Sequence, residues 1–374
     1  MADWVNQALG TVYKQIPPGV RPHAKQAFVW GMLRSQALAQ RRSIGQGRRV
    51  EFLDFEIAHL EPFEFLGPGP RDVQVKAAFS TVSPGTERAV LCGMPGARRP
   101  FPYVPGYSVA GTVTKPGRAS GFSAGQLVAG RMGHASHGLM APTSLFPVPG
   151  GVDLLEASYI EIGIICLQGI RKARIRPGDR VAVLGQGLIG QMATRLARAV
   201  GASPIIALAM SRRRAKSAVG IHGADEFVAI GEDPGALARL EADIVIEAVG
   251  TSKAIVQAMS AVKRGGTVVL LGSSRDLGRD LDWRAAQERS VRLVGAHISV
   301  MPARDASAAS WTYAQEGRLF LELLKSGRLR VADLTTWRVP PAQCNQVYEV
   351  IAQGGADQVG IVFDWQADQA AAGR

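Results

Sequence analysis

The sequence is poor in residues that cross-link a chain or anchor it in a membrane. It holds three cysteines in 374 residues, Cys92, Cys166 and Cys344. Odd in number and far apart, they exclude a disulfide framework and any Cys-x-x-Cys metal pair, and a reducing cytoplasm is the expected compartment. No run of eighteen apolar residues occurs, so no membrane-spanning helix is expected. The first twenty residues, MADWVNQALGTVYKQIPPGV, lack the charged start, continuous apolar core and small-residue cleavage site of a secretory signal, so export by that route is not expected.

Aromatic residues make up 6% and charged residues 20%, while the hydrophobic fraction is 47%, with 43 glycines and 21 prolines. Such a chain can bury substantial cores, and its length predicts two domains. The net charge of +12 is uneven: residues 1–49 carry eight Lys or Arg against Asp3 alone. A basic excess favours anionic partners, but an ordinary solvated face is the expected reading.

Residues 1–47 read as a basic extension. After Pro17-Pro18-Gly19, the run PHAKQAFVWGMLRSQALAQRR spaces Phe28, Met32 and Leu33 at helical intervals, which predicts one helix. Packing on its own protein or a sister subunit is the expected role, ahead of nucleic-acid or membrane contact. The runs RRVEFLDFEI, VQVKAAFSTV, SVAGTVTKPG and QLVAGRM, punctuated by PGP, SPG, MPG and KPG, then predict an all-β segment.

The pattern changes at YIEIGIICLQGIRKARI, a helix, followed by the apolar runs VAVLG, PIIALA, EFVAI, DIVIEAV, TVVLLG and VRLVGA alternating with helices. Runs of this kind are the mark of a parallel sheet covered on both faces. A helix around GRLFLELLKSG, strand-like LTTWRV and GIVFDW, and a helix at PAQCNQVYEVIAQ complete the chain. The expected fold class is α/β: a β domain of residues 48–163 and 311–374 with a dinucleotide-binding domain of residues 164–310 inserted into it.

The insertion carries the chemistry. Gly185, Gln186, Gly187, Leu188, Ile189 and Gly190 form a G-x-G-x-x-G turn between an apolar strand and a helix. The glycines permit a tight turn, approach of a pyrophosphate and close helix–strand packing, and the helix N-terminus faces the phosphates. An NAD enzyme carries an acid at the end of the next strand. Here Ala209 and Met210 are followed by Ser211, Arg212, Arg213 and Arg214. A hydroxyl and guanidinium groups suit a 2′-phosphate, so NADP(H) is the expected cofactor, ahead of NAD(H), with Ser211, Arg212 and Arg213 as its ligands.

The domain order, the GAD turn of Gly223 to Asp225, EAVG of Glu247 to Gly250 and LLG of Leu270 to Gly272 resemble the medium-chain dehydrogenase/reductase superfamily over about residues 48–365. The resemblance implies a GroES-like β domain and a Rossmann domain, with Val249, Gly250, Gly272, Ser273 and His297 near the cofactor. His297 either faces the substrate or is a satisfied core histidine. Within the superfamily, VSPGTER, PGYSVAGTV and CLQGIRKA resemble the zinc-lacking branch that contains bacteriochlorophyllide a dehydrogenase-like proteins and the alcohol-dehydrogenase-like halves of bidomain oxidoreductases.

Zinc members have Cys-Gly-Thr-Asp where this chain has Pro84-Gly85-Thr86-Glu87, and Gly-His-Glu where it has Gly106-Tyr107-Ser108; their third ligand falls near Ile164. Pro, Tyr and Ile supply no ligand set, so no zinc is expected; Cys166, His134 or Glu161 are the donors left to improvise one. A ketone reduced without a Lewis acid needs hydrogen-bond donors and a proton. The candidates are Thr86, Tyr107 and His134, with His137 beside it. Glu87 and Arg88 form a candidate structural ion pair.

The expected function is zinc-independent, NADP(H)-dependent hydride transfer between nicotinamide and a small-molecule secondary alcohol or ketone. Two alternatives stand beside it: an enoyl or quinone reductase, and a dinucleotide-regulated binding protein acting through the basic extension. The resemblance implies a homodimer through the GGTVVLLG and VRLVGAHIS strands, at the sheet edge that forms the dimer in related proteins.

Overall fold

The fold is seen in a computed structural model that describes residues 43–233, 235–274, 283–304, 306–307, 310–354 and 357–367. The basic helix expected between Pro22 and Arg42 lies outside the described residues. Two compact units are present: residues 1–46 with 64–67, and residues 47–63 with 68–374. In the first, the described residues are the paired ends of strands β1 (Ser43–Asp54) and β2 (Ile57–Leu66), a two-stranded sheet. β1 starts five residues before the expected edge of the β domain, so the extension ends in a strand.

In the second unit, the β-rich part is built on β3 (Val73–Val82), which is buried at nine of its ten positions. Burial on both faces explains its unbroken VQVKAAFSTV composition, since each face must be apolar or internally hydrogen-bonded. Helix α1 (Pro84–Leu91) follows at once. Then come β4 (Val109–Pro116), β5 (Leu127–Gly130), β6 (His137–Met140) and β7 (Leu145–Pro147). With β14 (Thr335–Val339) and β15 (Gly360–Asp364) from the end of the chain, the sheet order is β14–β15–β3–β4–β5–β7, with β6 on the first half of β3 and β15 antiparallel to its second half.

Helix α2 (Ile160–Ala173) passes through the boundary expected at 163/164. It is buried along most of its length and shares one continuous core with Phe79 and Phe146 of the β sheet and Leu196 and Ile205 of the α/β layer. The helix joins the two domains in one core.

The α/β layer begins with β8 (Val181–Leu184), α3 (Leu188–Ala199), β9 (Ile205–Ala209), β10 (Glu226–Ala229) and β11 (Ala242–Glu247). It continues with α4 (Ser252–Ala261), β12 (Val262–Leu270) and β13 (Arg292–Gly295). All strands are parallel, in the order β10–β9–β8–β11–β12–β13. The chain winds one way from β8 to β10 and the other way from β11 to β13. The crevice beyond the carboxyl ends of β8 and β11 is therefore the switch point where such sheets bind ligands.

Helix α5 (Tyr313–Lys325) starts in a Thr312/Gln315 capping box, and β14 (Thr335–Val339), α6 (Cys344–Ala352) and β15 (Gly360–Asp364) return to the β sheet. The GroES-like and Rossmann architecture implied by the resemblance is the architecture observed. Among the described residues no helix is long and apolar enough to cross a membrane.

Candidate functional site: a dinucleotide crevice beside a hydroxyl cluster

β8 is fully buried and ends at Gly185, whose φ of +98° only glycine adopts without strain. A Cβ on Gly190 would lie 1.7 Å from the Gly185 carbonyl oxygen, so helix and strand meet here without room for a side chain. At Gly187, the N-cap of α3, a Cβ would come no nearer to anything than 3.6 Å, to Arg214 Nη1. That face of the loop is open. The amides of Leu188, Ile189 and Gly190, in the first turn of α3, have no intrahelical acceptor. Gln186 and Gln191 are buried, and the Oε1 of each has no hydrogen-bond partner.

The ribose side of the crevice departs from expectation in one respect. Ser211 is extended and opens the arginine turn, but Arg212 swings to Glu232 (Nε–Oε2 2.9 Å) and leaves the pocket to its neighbours. Arg213 pairs with Asp357 at 2.5 Å. Arg214 reaches inward, donating to the carbonyls of Gln186 (3.4 Å) and Gln358 (3.0 Å). Burial lowers its pKa, Arg213 adds to that, and Asp357 opposes it. A pocket of about 220 Å³ is lined by Gln186, Met210, Ser211, Arg213, Arg214 and Gly354. Arg214 thus replaces Arg212 as the inward cation; the sequence contained it, but nothing in a run of three arginines marks which one turns in.

Beyond β11, Glu247 Oε1 accepts from the amides of Val249 (2.6 Å) and Gly250 (2.7 Å), bending the chain toward the switch point. Gly272 and Ser273 follow β12 and pack on Gly250. His297 is exposed and tied to Ser299, so it is not a core histidine. Its carbonyl accepts from Gln168 Nε2 at 2.7 Å, and the buried Oε1 of Gln168 has no partner. Gln168 had no motif to announce it.

The opening residues of α1, in the β-rich part of the chain, carry the expected hydroxyl donors. Tyr107 OH donates to Ser83 Oγ at 2.8 Å, and Thr86 is exposed on the first turn of α1. Burial pushes the Tyr107 pKa up to about 12, with Glu87 adding and the Ser83 hydrogen bond opposing. The next residue, Ser108, accepts from the Glu161 amide (3.1 Å) and so fixes the start of α2 against the Tyr107 loop. Glu161 is fully buried, paired with Arg131 at 2.6 Å and bonded by Tyr313 OH. Its pKa is raised by burial, against the pull of Arg131 and Tyr313.

His134 is placed elsewhere than expected. It is fully buried, with Nδ1 2.8 Å from Ser80 Oγ and Nε2 3.1 Å from Glu87 Oε2. A side chain closed off from solvent and engaged at both nitrogens cannot contact substrate. His137 lies on β6, opposite Lys76 of β3, with its Nδ1 3.1 Å from Ser136 Oγ. The expected Glu87–Arg88 pair is absent as well: Glu87 turns inward to His134 and Tyr348, and Arg88 donates to the Ala352 carbonyl.

The positions that resemble the zinc members' ligands carry other residues. Pro84, Tyr107 and Ile164 offer no ligand set. Each improvised donor is engaged elsewhere: Cys166 with the Ile189 carbonyl, His134 with Ser80 and Glu87, Glu161 with Arg131 and Tyr313. Among the described residues no three His, Cys, Asp or Glu side chains gather as a metal-binding group.

Comparison with known proteins agrees with the fold. The family described as zinc-binding dehydrogenase matches residues 189–310. The 2-desacetyl-2-hydroxyethyl bacteriochlorophyllide A dehydrogenase of Cereibacter sphaeroides is 24% identical over 328 residues, 82% of this chain and 95% of that protein. The D-guloside 3-dehydrogenase of Escherichia coli is 29% identical over 194 residues, 50% of this chain and 55% of that one. Among solved structures, a Sinorhizobium meliloti protein described as a zinc-binding dehydrogenase, with NADP bound, superposes with TM-score 0.72 at 21% identity, covering 86% of this chain and 99% of its own.

Proposed function

We propose that the chain is a member of the medium-chain dehydrogenase/reductase superfamily, to which its match with the zinc-binding dehydrogenase family over residues 189–310 points, and that it is a zinc-independent, NADP(H)-dependent oxidoreductase acting on a secondary alcohol or the matching ketone. The observation that carries this reading is the Tyr107–Ser83 hydrogen bond, with Tyr107 at a position that resembles a metal-ligand position of the zinc members.

The cofactor fits the residues present. Gly187 and the first turn of α3 suit a pyrophosphate, Ser211, Arg213 and Arg214 a 2′-phosphate, and the buried Oε1 atoms of Gln168, Gln186 and Gln191 lack donors. When bound, the nicotinamide supplies or accepts the hydride. The protein orients the substrate oxygen toward Tyr107 and Thr86. An alkoxide is a stronger base than a phenolate, even one whose conjugate acid has a pKa near 12, so Tyr107 gives up its proton to a developing alkoxide. In the free protein that proton is donated to Ser83 Oγ, so in the reaction the phenol turns its proton to the substrate and the Ser83 hydroxyl donates in turn to the phenolate oxygen, which keeps it oriented. A homodimer across β13 belongs to the same reading: among the described residues this strand is paired on one side only, with β12.

The test is a titration with NADPH and NADH, followed by product analysis with ketones and enones. Tighter NADPH binding and a reduced carbonyl support the reading. A reduced alkene moves the assignment to an enoyl or quinone reductase, for which Tyr107 donates to an enolate instead. Binding of neither nucleotide overturns it and favours a binding protein that uses the basic extension, testable by deleting residues 1–42.

A further inference from the structure

The two arginines that wall the ribose-side pocket are held from a distant part of the chain. Asp357 and Gln358, between α6 and β15, supply a carboxylate to Arg213 and a carbonyl to Arg214 across 144 residues of sequence, and Gly354 lines the same pocket. The pocket is therefore closed by the β domain as well as by the Rossmann turn. The two contacts differ in kind. Arg214 is partly buried and anchored by two backbone carbonyls, so it is a fixed cation. The Arg213–Asp357 pair is exposed, at 55% and 72% of the side chains, so solvent screens it and it exchanges partners at small cost.

Two adjacent guanidinium groups with no anion between them repel one another, and Asp357 is the acid that offsets this. A phosphate carrying close to two negative charges is the stronger partner for Arg213, and it cannot share the site with Asp357 without like-charge repulsion.

We propose that Asp357 is a resident anion that holds the place of the cofactor 2′-phosphate: it pairs with Arg213 in the free protein and is displaced when NADP(H) binds, which makes it a cofactor-specificity residue outside the Rossmann domain. This rests on the NADP(H) reading above. It also explains the missing acid at the end of β9, since an acid from the other domain balances the arginines and can leave.

The experiment measures dissociation constants of NADPH, NADH, 2′,5′-ADP and 5′-AMP for the wild type, Asp357→Asn and Asp357→Lys. Asp357 is largely exposed, so both variants are expected to fold. Removing the competing carboxylate tightens NADPH and 2′,5′-ADP by about two- to fivefold, the scale of an exposed ion pair, and leaves NADH and 5′-AMP unchanged. Asp357→Lys tightens them further and steepens their salt dependence. An unchanged NADPH-to-NADH ratio in both variants overturns the proposal, and so does weaker NADPH binding, which would mean that Asp357 positions Arg213. If the wild type itself ignores the 2′-phosphate, binding 2′,5′-ADP no better than 5′-AMP, the NADP(H) reading fails instead.

Discussion

Glu87 and His134, 47 residues apart, meet at 3.1 Å in the interior of the β domain, each closed off from solvent. Glu87 also accepts from Tyr348 OH (2.5 Å) and the Ser83 amide (2.7 Å), while Ser80 joins His134 to Trp365 Nε1 (2.9 Å). Three donors converge on one buried carboxylate, and the Ser83 that it anchors is the partner of Tyr107.

This network sets the first prediction. Glu87→Ala leaves three buried donors without an acceptor and is expected to cost about 3–5 kcal/mol of stability, read by chemical denaturation. Glu87→Gln keeps the shape and two acceptor sites and costs less. A loss below about 1 kcal/mol for Glu87→Ala, the size of an exposed pair, would show that the network carries little of the fold.

Tyr107→Phe removes the phenolic proton and keeps the ring. The expected outcome is a fall in kcat of about 10²-fold or more, the scale of a lost acid, with the NADPH dissociation constant unchanged. The pH profile gives a second readout. The raised pKa means that folding favours the neutral phenol, so this contribution to stability is complete below pH 10 and is lost as the pH climbs toward 12. Activity of the wild type therefore shows no alkaline loss from Tyr107 between pH 8 and about 10. A kcat unaffected by the Phe variant transfers the proton to Thr86.

Gly190 and Gly187 sit in one motif and respond differently to a methyl group. Gly190→Ala sets its Cβ against the Gly185 carbonyl oxygen, backbone that cannot step aside, so a lower Tm and loss of NADPH binding are expected together. Gly187→Ala meets only Arg214 Nη1, at an ordinary 3.6 Å contact, and is expected to keep its Tm while NADPH binding weakens about tenfold or more, because the methyl occupies the face that the pyrophosphate approaches. Equal Tm losses in the two variants would contradict the geometry.

The sequence made the layer order, the nucleotide turn and the strands legible, because each rests on local patterns: apolar runs such as VAVLG for buried parallel strands, and glycine spacing for the turn. What stayed hidden was side-chain direction. His134 and Tyr107 are equally good donors on paper; one is enclosed by Ser80 and Glu87 and the other bonds the start of α1, a difference set by long-range packing of β15 and α6. The Arg213–Asp357 contact was invisible for the same reason, since no local rule joins residues on opposite sides of an inserted domain. Gln168 lacked a signal altogether, a polar side chain in an apolar helix with nothing to separate it from a helix-surface glutamine.

The arginine turn provides the sharpest discrimination. Three consecutive arginines carry equal charge, so a purely electrostatic account predicts similar losses from Arg212→Ala, Arg213→Ala and Arg214→Ala. The geometry predicts a hierarchy. Arg212 is committed to Glu232 and absent from the pocket lining, so its loss changes NADPH affinity by about twofold or less. Arg213 must first release Asp357, so its loss is intermediate. Arg214 is pre-positioned between the Gln186 and Gln358 carbonyls, partly desolvated, and needs no partner exchange, so Arg214→Ala weakens NADPH about ten- to a hundredfold and NADH much less. Parallel fluorescence titrations of the three variants decide it. Equal losses would mean that the phosphate feels only the summed field of the turn, and a dominant Arg212 would require the Glu232 pair to open on binding.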